Sequence, residues 1–258
     1  MEISKLSKLI TPSGTMAISN KARILREQGK PVIGFGAGEP DFPTPEYVVK
    51  DVQVAAEDTS NHKYSPVAGL TILKEEIVRT SQLYSGINVQ QENILVSNGG
   101  KHAILTTFMS ILNPGDEVLI PSPYWTTYPE AVKPIIVDTE FDDDFKVNTD
   151  QLDALKTTKT KILVWVSPSN PTGVVYTKEE AEKIYNWAFK NNVWILSDEL
   201  YEHLVYEGMT SPSPAQYDTE LNNTIIINGV AKAYSMTGWR VGWIIANTDV
   251  IDMAKKIQ

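Results

Sequence analysis

The chain contains no cysteine. Disulfides, thiolate metal ligands and a cysteine nucleophile are therefore excluded. Its three histidines, His62, His102 and His203, stand at no ligand spacing, so no metal site is expected. No apolar run reaches membrane-spanning length, and the opening residues Met1 to Lys5 lack the apolar centre of a signal peptide. The expectation is a cytoplasmic, soluble protein with no membrane partner. There is no long basic run either. A net charge of −9, from 23 basic and 32 acidic residues, argues against nucleic acid as a partner. It leaves room for an anionic ligand, because local groups set the field of a pocket.

What is present fits a globular α/β chain. At 258 residues with 42% hydrophobic content, it can bury a sizeable core. Apolar periodicity predicts helices over residues 18–28, 45–58, 70–85, 101–112, 151–155, 178–190 and from 250 onward. Short apolar runs predict strands at 32–35, 93–97, 117–120, 135–137, 161–167, 193–197, 224–227 and 241–246. From about residue 93, strands and helices alternate. That order implies a mainly parallel sheet with helices on both faces. Ligands of such sheets bind outside the carboxyl ends of the strands.

Several loops at those ends carry chemistry. Gly34, Gly36 and Gly38 do not form a dinucleotide-binding turn, because Pro40, Asp41 and Pro43 intervene before any helix. They make either a tight turn or a backbone surface that a ligand approaches closely. Asn98-Gly99-Gly100-Lys101 joins a strand to a helix start, where free N–H groups and the helix dipole favour an anion. It is not a Walker A loop. Pro121-Ser122-Pro123-Tyr124-Trp125-Thr126-Thr127-Tyr128 is an aromatic loop that either packs on the core or offers a planar ligand a stacking surface. The acidic run at 142–144 reads as a solvated turn. Asn170 lies in the rigid loop 168–173, and Asp198 ends an apolar strand.

Lys232 follows the apolar run 224–227 and sits among small residues, with Arg240 eight positions on. A lone lysine is usually a solvated surface charge. Crowding by Gly229, Ala231 and Ala233 instead suits a covalent attachment point. Gly99-Gly100, Trp125, Asn170, Asp198 and Lys232 all follow strands, so the predicted sheet brings them to one edge. Together they offer an amine for an aldehyde, a carboxylate for a ring nitrogen, a Gly-Gly helix start and Arg240 for a phosphate, an indole for a flat ring, and Asn170 with Tyr201 for a phenolic oxygen. Pyridoxal 5'-phosphate carries all of these groups.

These stretches, with residues 36–42, 63–66, 122–125, 167–173, 197–202 and 231–242, resemble the class I aminotransferases of the fold-type I pyridoxal-phosphate enzymes, most closely bacterial aspartate aminotransferases. The resemblance implies a mainly parallel seven-stranded sheet with helices on both faces. It implies an N-terminal arm and part of a small domain over 1–45, and a large cofactor-binding domain over 46–258, with the C-terminal part of the small domain missing. The implied reaction exchanges an amino group between an L-amino acid, aspartate foremost, and 2-oxoglutarate in two half-reactions. An aromatic or broad-range aminotransferase, a lyase on the same scaffold and an impaired fragment are the alternatives.

The implied catalytic residues are Lys232, which attaches the cofactor and then shuttles a proton, Asp198, which holds the pyridinium proton, and Tyr201. Asn170 and Tyr201 take the phenolic oxygen, and Trp125 stacks on the ring. Gly99, Gly100, Lys101 and Arg240 lie at the phosphate side. Tyr64 reaches the neighbouring subunit's phosphate, which makes the active unit a homodimer. Gly38, Trp125, Asn170 and Lys101 meet the substrate, Lys101 facing a distal carboxylate. No residue can be assigned to clamp the α-carboxylate. Ala231 stands where many relatives carry serine. Thr11 before Pro12, where prephenate-accepting relatives tend to be basic, favours aspartate over prephenate.

Overall fold

The computed structural model describes residues 14–36 and 38–258. The Thr11–Pro12 signal and Ala37 lie outside the described residues. Seven strands form one sheet: β1 Ile94–Ser97, β2 Glu117–Pro121, β3 Lys133–Val137, β4 Thr160–Val166, β5 Trp194–Asp198, β6 Thr224–Gly229 and β7 Gly242–Ile245. The helices that matter below are α1 Gly14–Glu27, α2 Glu46–Glu57, α3 Thr71–Thr80, α4 Gly100–Ile111, α5 Thr127–Glu130, α6 Thr149–Leu155, α7 Lys178–Lys190 and α8 Thr248–Ile257.

The sheet order is β1-β7-β6-β5-β4-β2-β3. Only β7 runs antiparallel to its neighbours, β1 and β6. The other six strands point the same way, so their carboxyl ends share one edge. Both faces are covered, which is why β5 and β6 read as nearly continuous apolar runs rather than as an alternation. Side chains nevertheless alternate between the two cores. Val118, Ile120, Ile162, Val164, Leu196, Ile225 and Ile227 face α4 and α8. Leu119, Leu163, Trp165 and Ile195 face α6 and α7. A third cluster, around Ile94, Ile226 and Ile245, is capped by Ile77 of α3.

Local signals explain the helix ends. In α7, Thr177 and Glu180 form a reciprocal capping box, and in α6 Asn148 and Gln151 do the same. The predicted helix over 70–85 is α3 followed by a wider π-helical turn, Ser81–Ser85, and Gly86 closes it at φ +67°. One expectation fails. Residues 32–35 are extended but belong to no sheet, and Ile33 and Phe35 are 80% and 93% exposed. Apolar propensity alone does not make a strand; a ladder partner is required, and none of the described strands offers one there.

The chain leaves β2 through α5, whose Tyr128 joins the α4 face, whereas it leaves β4 toward α7 on the opposite face. Adjacent parallel strands whose connections part in this way open a crevice at their carboxyl ends. Beside it, Gly242 pairs with both Ser97 and Gly229. A Cβ on Gly242 would lie 2.8 Å from the Gly99 carbonyl carbon and 2.9 Å from the Gly100 nitrogen. Both are backbone atoms that cannot swing away. Gly242→Ala is therefore expected to destabilise the chain by about 2–3 kcal/mol, read from urea unfolding. An unchanged midpoint would show that the strand junction is not packed in this way.

Candidate active site

The first corner of the crevice is built for an anion. Gly99 adopts φ +83° and ψ 170°, a conformation natural only to glycine, and so turns the chain from β1 into α4. The first helical hydrogen bond here runs from Ala103 N to Gly99 O at 3.1 Å, so the amides of Gly100, Lys101 and His102 precede it without helical acceptors. The Arg240 guanidinium lies against this turn; a Cβ on Gly99 would sit 2.6 Å from its Nη2. Arg240 itself has φ +58°. Its Nη1 donates to the Thr237 carbonyl at 2.9 Å and its Nη2 to the Asn98 carbonyl at 3.3 Å. It enters no ion pair among the described residues. A fixed fork with spare donors, beside free helix amides, suits a phosphate-sized dianion.

The floor is acidic. Asp198 ends β5 and is 3% exposed. The Tyr128 hydroxyl donates to its Oδ2 at 2.5 Å, and the Leu200 amide to its Oδ1 at 3.3 Å. Burial pushes the Asp198 carboxyl up, while these two donors and Lys232 pull it down. The Tyr128 phenol is held well above its ordinary range by burial and by Asp198, so it remains a donor. In the sequence, Tyr128 stands only as one of several aromatic residues in a loop. Nothing in the spacing of two residues 70 positions apart signals this bond; it arises because α5 folds back across the sheet.

Lys232 closes the site from the loop after β6. Its Nζ donates to the Gly38 carbonyl at 2.7 Å and lies 5.3 Å from the centre of the Tyr201 ring. Burial lowers the pKa of the amine, against the opposing fields of Glu39 and Asp198. A larger neutral fraction near pH 7 is what a nucleophilic or basic lysine needs. Asn170 Nδ2 approaches the Tyr201 hydroxyl at 3.5 Å, and burial pushes that phenol up. Trp125 packs edge-on to Tyr128, ring centres 5.5 Å apart, with Lys101 Nζ 5.2 Å from the indole centre.

The predicted set thus falls into touching pairs along one edge: Gly99 with Arg240, Lys101 with Trp125, Asn170 with Tyr201, Lys232 with Gly38. Asp198 joins them through Tyr128 and the lysine field. Tyr64 stands apart; it is fully exposed and makes no hydrogen bond among the described residues. No group of three or more His, Asp or Glu side chains able to hold a metal occurs among the described residues. No described helix is long and apolar enough to cross a membrane.

The chain is similar to known proteins in sequence and in fold. A family model described as aminotransferase class I and II matches residues 30–258. The chain is 48% identical over 255 residues to an aspartate aminotransferase of Streptomyces avermitilis, covering 96% of this chain and 62% of that protein. It is 42% identical to one from Geobacillus stearothermophilus, over 97% of this chain and 65% of that protein. The solved aspartate aminotransferase of Thermus thermophilus with maleate superposes with a TM-score of 0.94 at 38% identity, covering all of this chain and 68% of that one. The chain therefore spans a little under two thirds of the length of these curated relatives. With a family match across most of its length and the same sheet in a solved relative, the chain belongs to the class I and II aminotransferases.

Proposed function

We propose that this chain is the cofactor-binding part of a pyridoxal-phosphate-dependent aminotransferase, acting on aspartate and 2-oxoglutarate. The observation that carries the reading is the shared edge on which a desolvated lysine, a buried carboxylate and a glycine–arginine anion corner meet. The donor set fits the cofactor. The close approach of Arg240 to Gly99 leaves a cradle of backbone amides and guanidinium for the phosphate. Asp198 is the carboxylate for the ring nitrogen, Asn170 and Tyr201 are the partners for the phenolic oxygen, and Trp125 is the stacking surface.

When bound, pyridoxal phosphate supplies an aldehyde that captures amines and a ring that withdraws electrons. The protein's residues do the rest. Lys232 Nζ holds the cofactor and then, as a neutral amine, takes the proton from the substrate Cα. Asp198 keeps a positive charge on the ring nitrogen, and the Tyr128 hydroxyl fixes the orientation of that carboxylate. The Gly38 backbone and Asn170 meet the α-carboxylate side of the substrate, and Lys101 faces the distal carboxylate, which favours a dicarboxylic amino acid. Tyr64, exposed in one copy, fits a place in a partner copy's phosphate corner, and so a homodimer. In this reading residues 46–258 are the large domain, and residues 1–45 are an arm with part of the small domain.

The test compares half-reactions of the cofactor-loaded protein with aspartate, phenylalanine and alanine. Aspartate is expected to convert the bound cofactor fastest, by absorbance. Conversion with phenylalanine at an equal or higher rate would replace aspartate by an aromatic donor. The intact mass of the natural protein, if far above 28.7 kDa, would place the missing α-carboxylate clamp in further chain.

A further inference from the structure

Residues 38–44 lie as a strap across the lysine loop, residues 232–239. Four hydrogen bonds join the two segments. Lys232 Nζ donates to the Gly38 carbonyl at 2.7 Å, and Thr237 Oγ1 to Glu39 Oε1 at 3.0 Å. Trp239 Nε1 donates to Thr44 Oγ1 at 3.2 Å, and Thr44 Oγ1 to the Ser235 carbonyl at 2.9 Å. In sequence, 194 residues separate Gly38 from Lys232. The strap itself is not part of a helix or strand, so these bonds hold it locally.

We propose that Glu39 is a positioning residue for Lys232: held by the Thr237 hydroxyl, it seats the strap on the lysine loop and keeps a carboxylate beside the amine. Glu39 has no ion-pair partner among the described residues, and its one side-chain hydrogen bond is the one from Thr237. The charged and titratable groups that face Lys232 are Glu39 from the strap, Asp198 from the end of β5 and the Tyr201 ring from the loop after β5. Asp198 is occupied by Tyr128 and Leu200. Glu39 is the acidic group on the strap, next in sequence to the Gly38 whose carbonyl accepts from the amine. Its field opposes the desolvation that favours the neutral amine. The strap therefore balances two demands: a lysine that stays charged and tethered to Gly38 before it is used, and one that can shed its proton when it reacts.

The inference rests on Lys232 being the attachment lysine, and the experiment separates the two claims. The wild-type chain, Glu39→Gln and Thr237→Val are each mixed with pyridoxal phosphate across a pH series. The neutral amine condenses with the aldehyde carbon with loss of one water. Borohydride then reduces the linkage, and mass spectrometry of the Lys232 peptide gives the rate. Glu39→Gln keeps an oxygen for Thr237 but removes the charge. The ammonium then loses a stabilising neighbour, so the rate profile is expected to move to lower pH, with labelling several-fold faster on its acid limb. Thr237→Val releases the carboxylate toward solvent and is expected to show a smaller shift of the same sign. A Glu39→Gln profile that overlies the wild-type profile overturns the inference. A Thr237→Val profile that overlies it removes the hydroxyl from the inference. No adduct at Lys232 in the wild type overturns the attachment assignment instead.

Discussion

Lys232→Ala is expected to abolish covalent retention of pyridoxal phosphate, and with it the visible absorbance band of the loaded protein. Transamination should fall by about 10⁴-fold or more, since one side chain serves as both tether and base. The loss would not be a folding defect. Lys232 lies on a loop, is only half-buried, and its amine makes one side-chain hydrogen bond, to the Gly38 carbonyl. Lys232 is not among the described residues with positive φ, so an alanine fits the backbone there. The thermal midpoint of the cofactor-free variant should stay close to that of the wild type. A small added amine should restore part of the proton-transfer rate but not the covalent retention. Persistence of the visible band in Lys232→Ala would show that another residue holds the cofactor.

Asp198→Asn is the second substitution with a large expected effect, and it separates stability from function. Asparagine has the same shape and still accepts a hydrogen bond from Tyr128. What it removes is a negative charge that burial disfavours. The cofactor-free chain should therefore be no less stable, and a thermal melt is expected to show an equal or higher midpoint. Transamination is expected to fall by about 10²–10³-fold, because a neutral amide no longer holds a positive charge on the ring nitrogen. A lower melting midpoint would mean that the carboxylate contributes to folding through the Tyr128 bond. Unchanged turnover would mean that Asp198 is not the group that faces the ring.

Each of these effects depends on placement, and placement was only partly visible in the sequence. The candidate residues were identifiable because each stands one to five positions beyond an apolar run. Gly99 follows β1, Asn170 follows β4, Asp198 ends β5 and Lys232 follows β6. A parallel sheet carries such positions to a common edge whatever the strand order. The partners of those residues were not identifiable. Tyr128 stood in an aromatic loop that could either pack on the core or stack on a ligand; it is 1% exposed, and its hydroxyl reaches Asp198 across β4, which lies between β2 and β5 in the folded sheet. Glu39 belonged to a recognisable loop but had no role until that loop was seen seated on Thr237. Gly242 fell inside the predicted strand 241–246 with no role of its own, yet it is where β7 inserts antiparallel between β1 and β6, and where its missing side chain lets Gly99 approach.

By itself, the sequence determined the element types, the mainly parallel sheet and the loops that carry chemistry, because periodicity, capping and glycine or proline punctuation act over a few residues. It also misassigned residues 32–35, where propensity was present but a ladder partner was not. The tertiary structure alone decided the strand order, the antiparallel insertion of β7, the Tyr128–Asp198 bond and the strap over Lys232. Those depend on which crossovers pack on which face. That choice is made by the burial of whole surfaces rather than by any local run of residues.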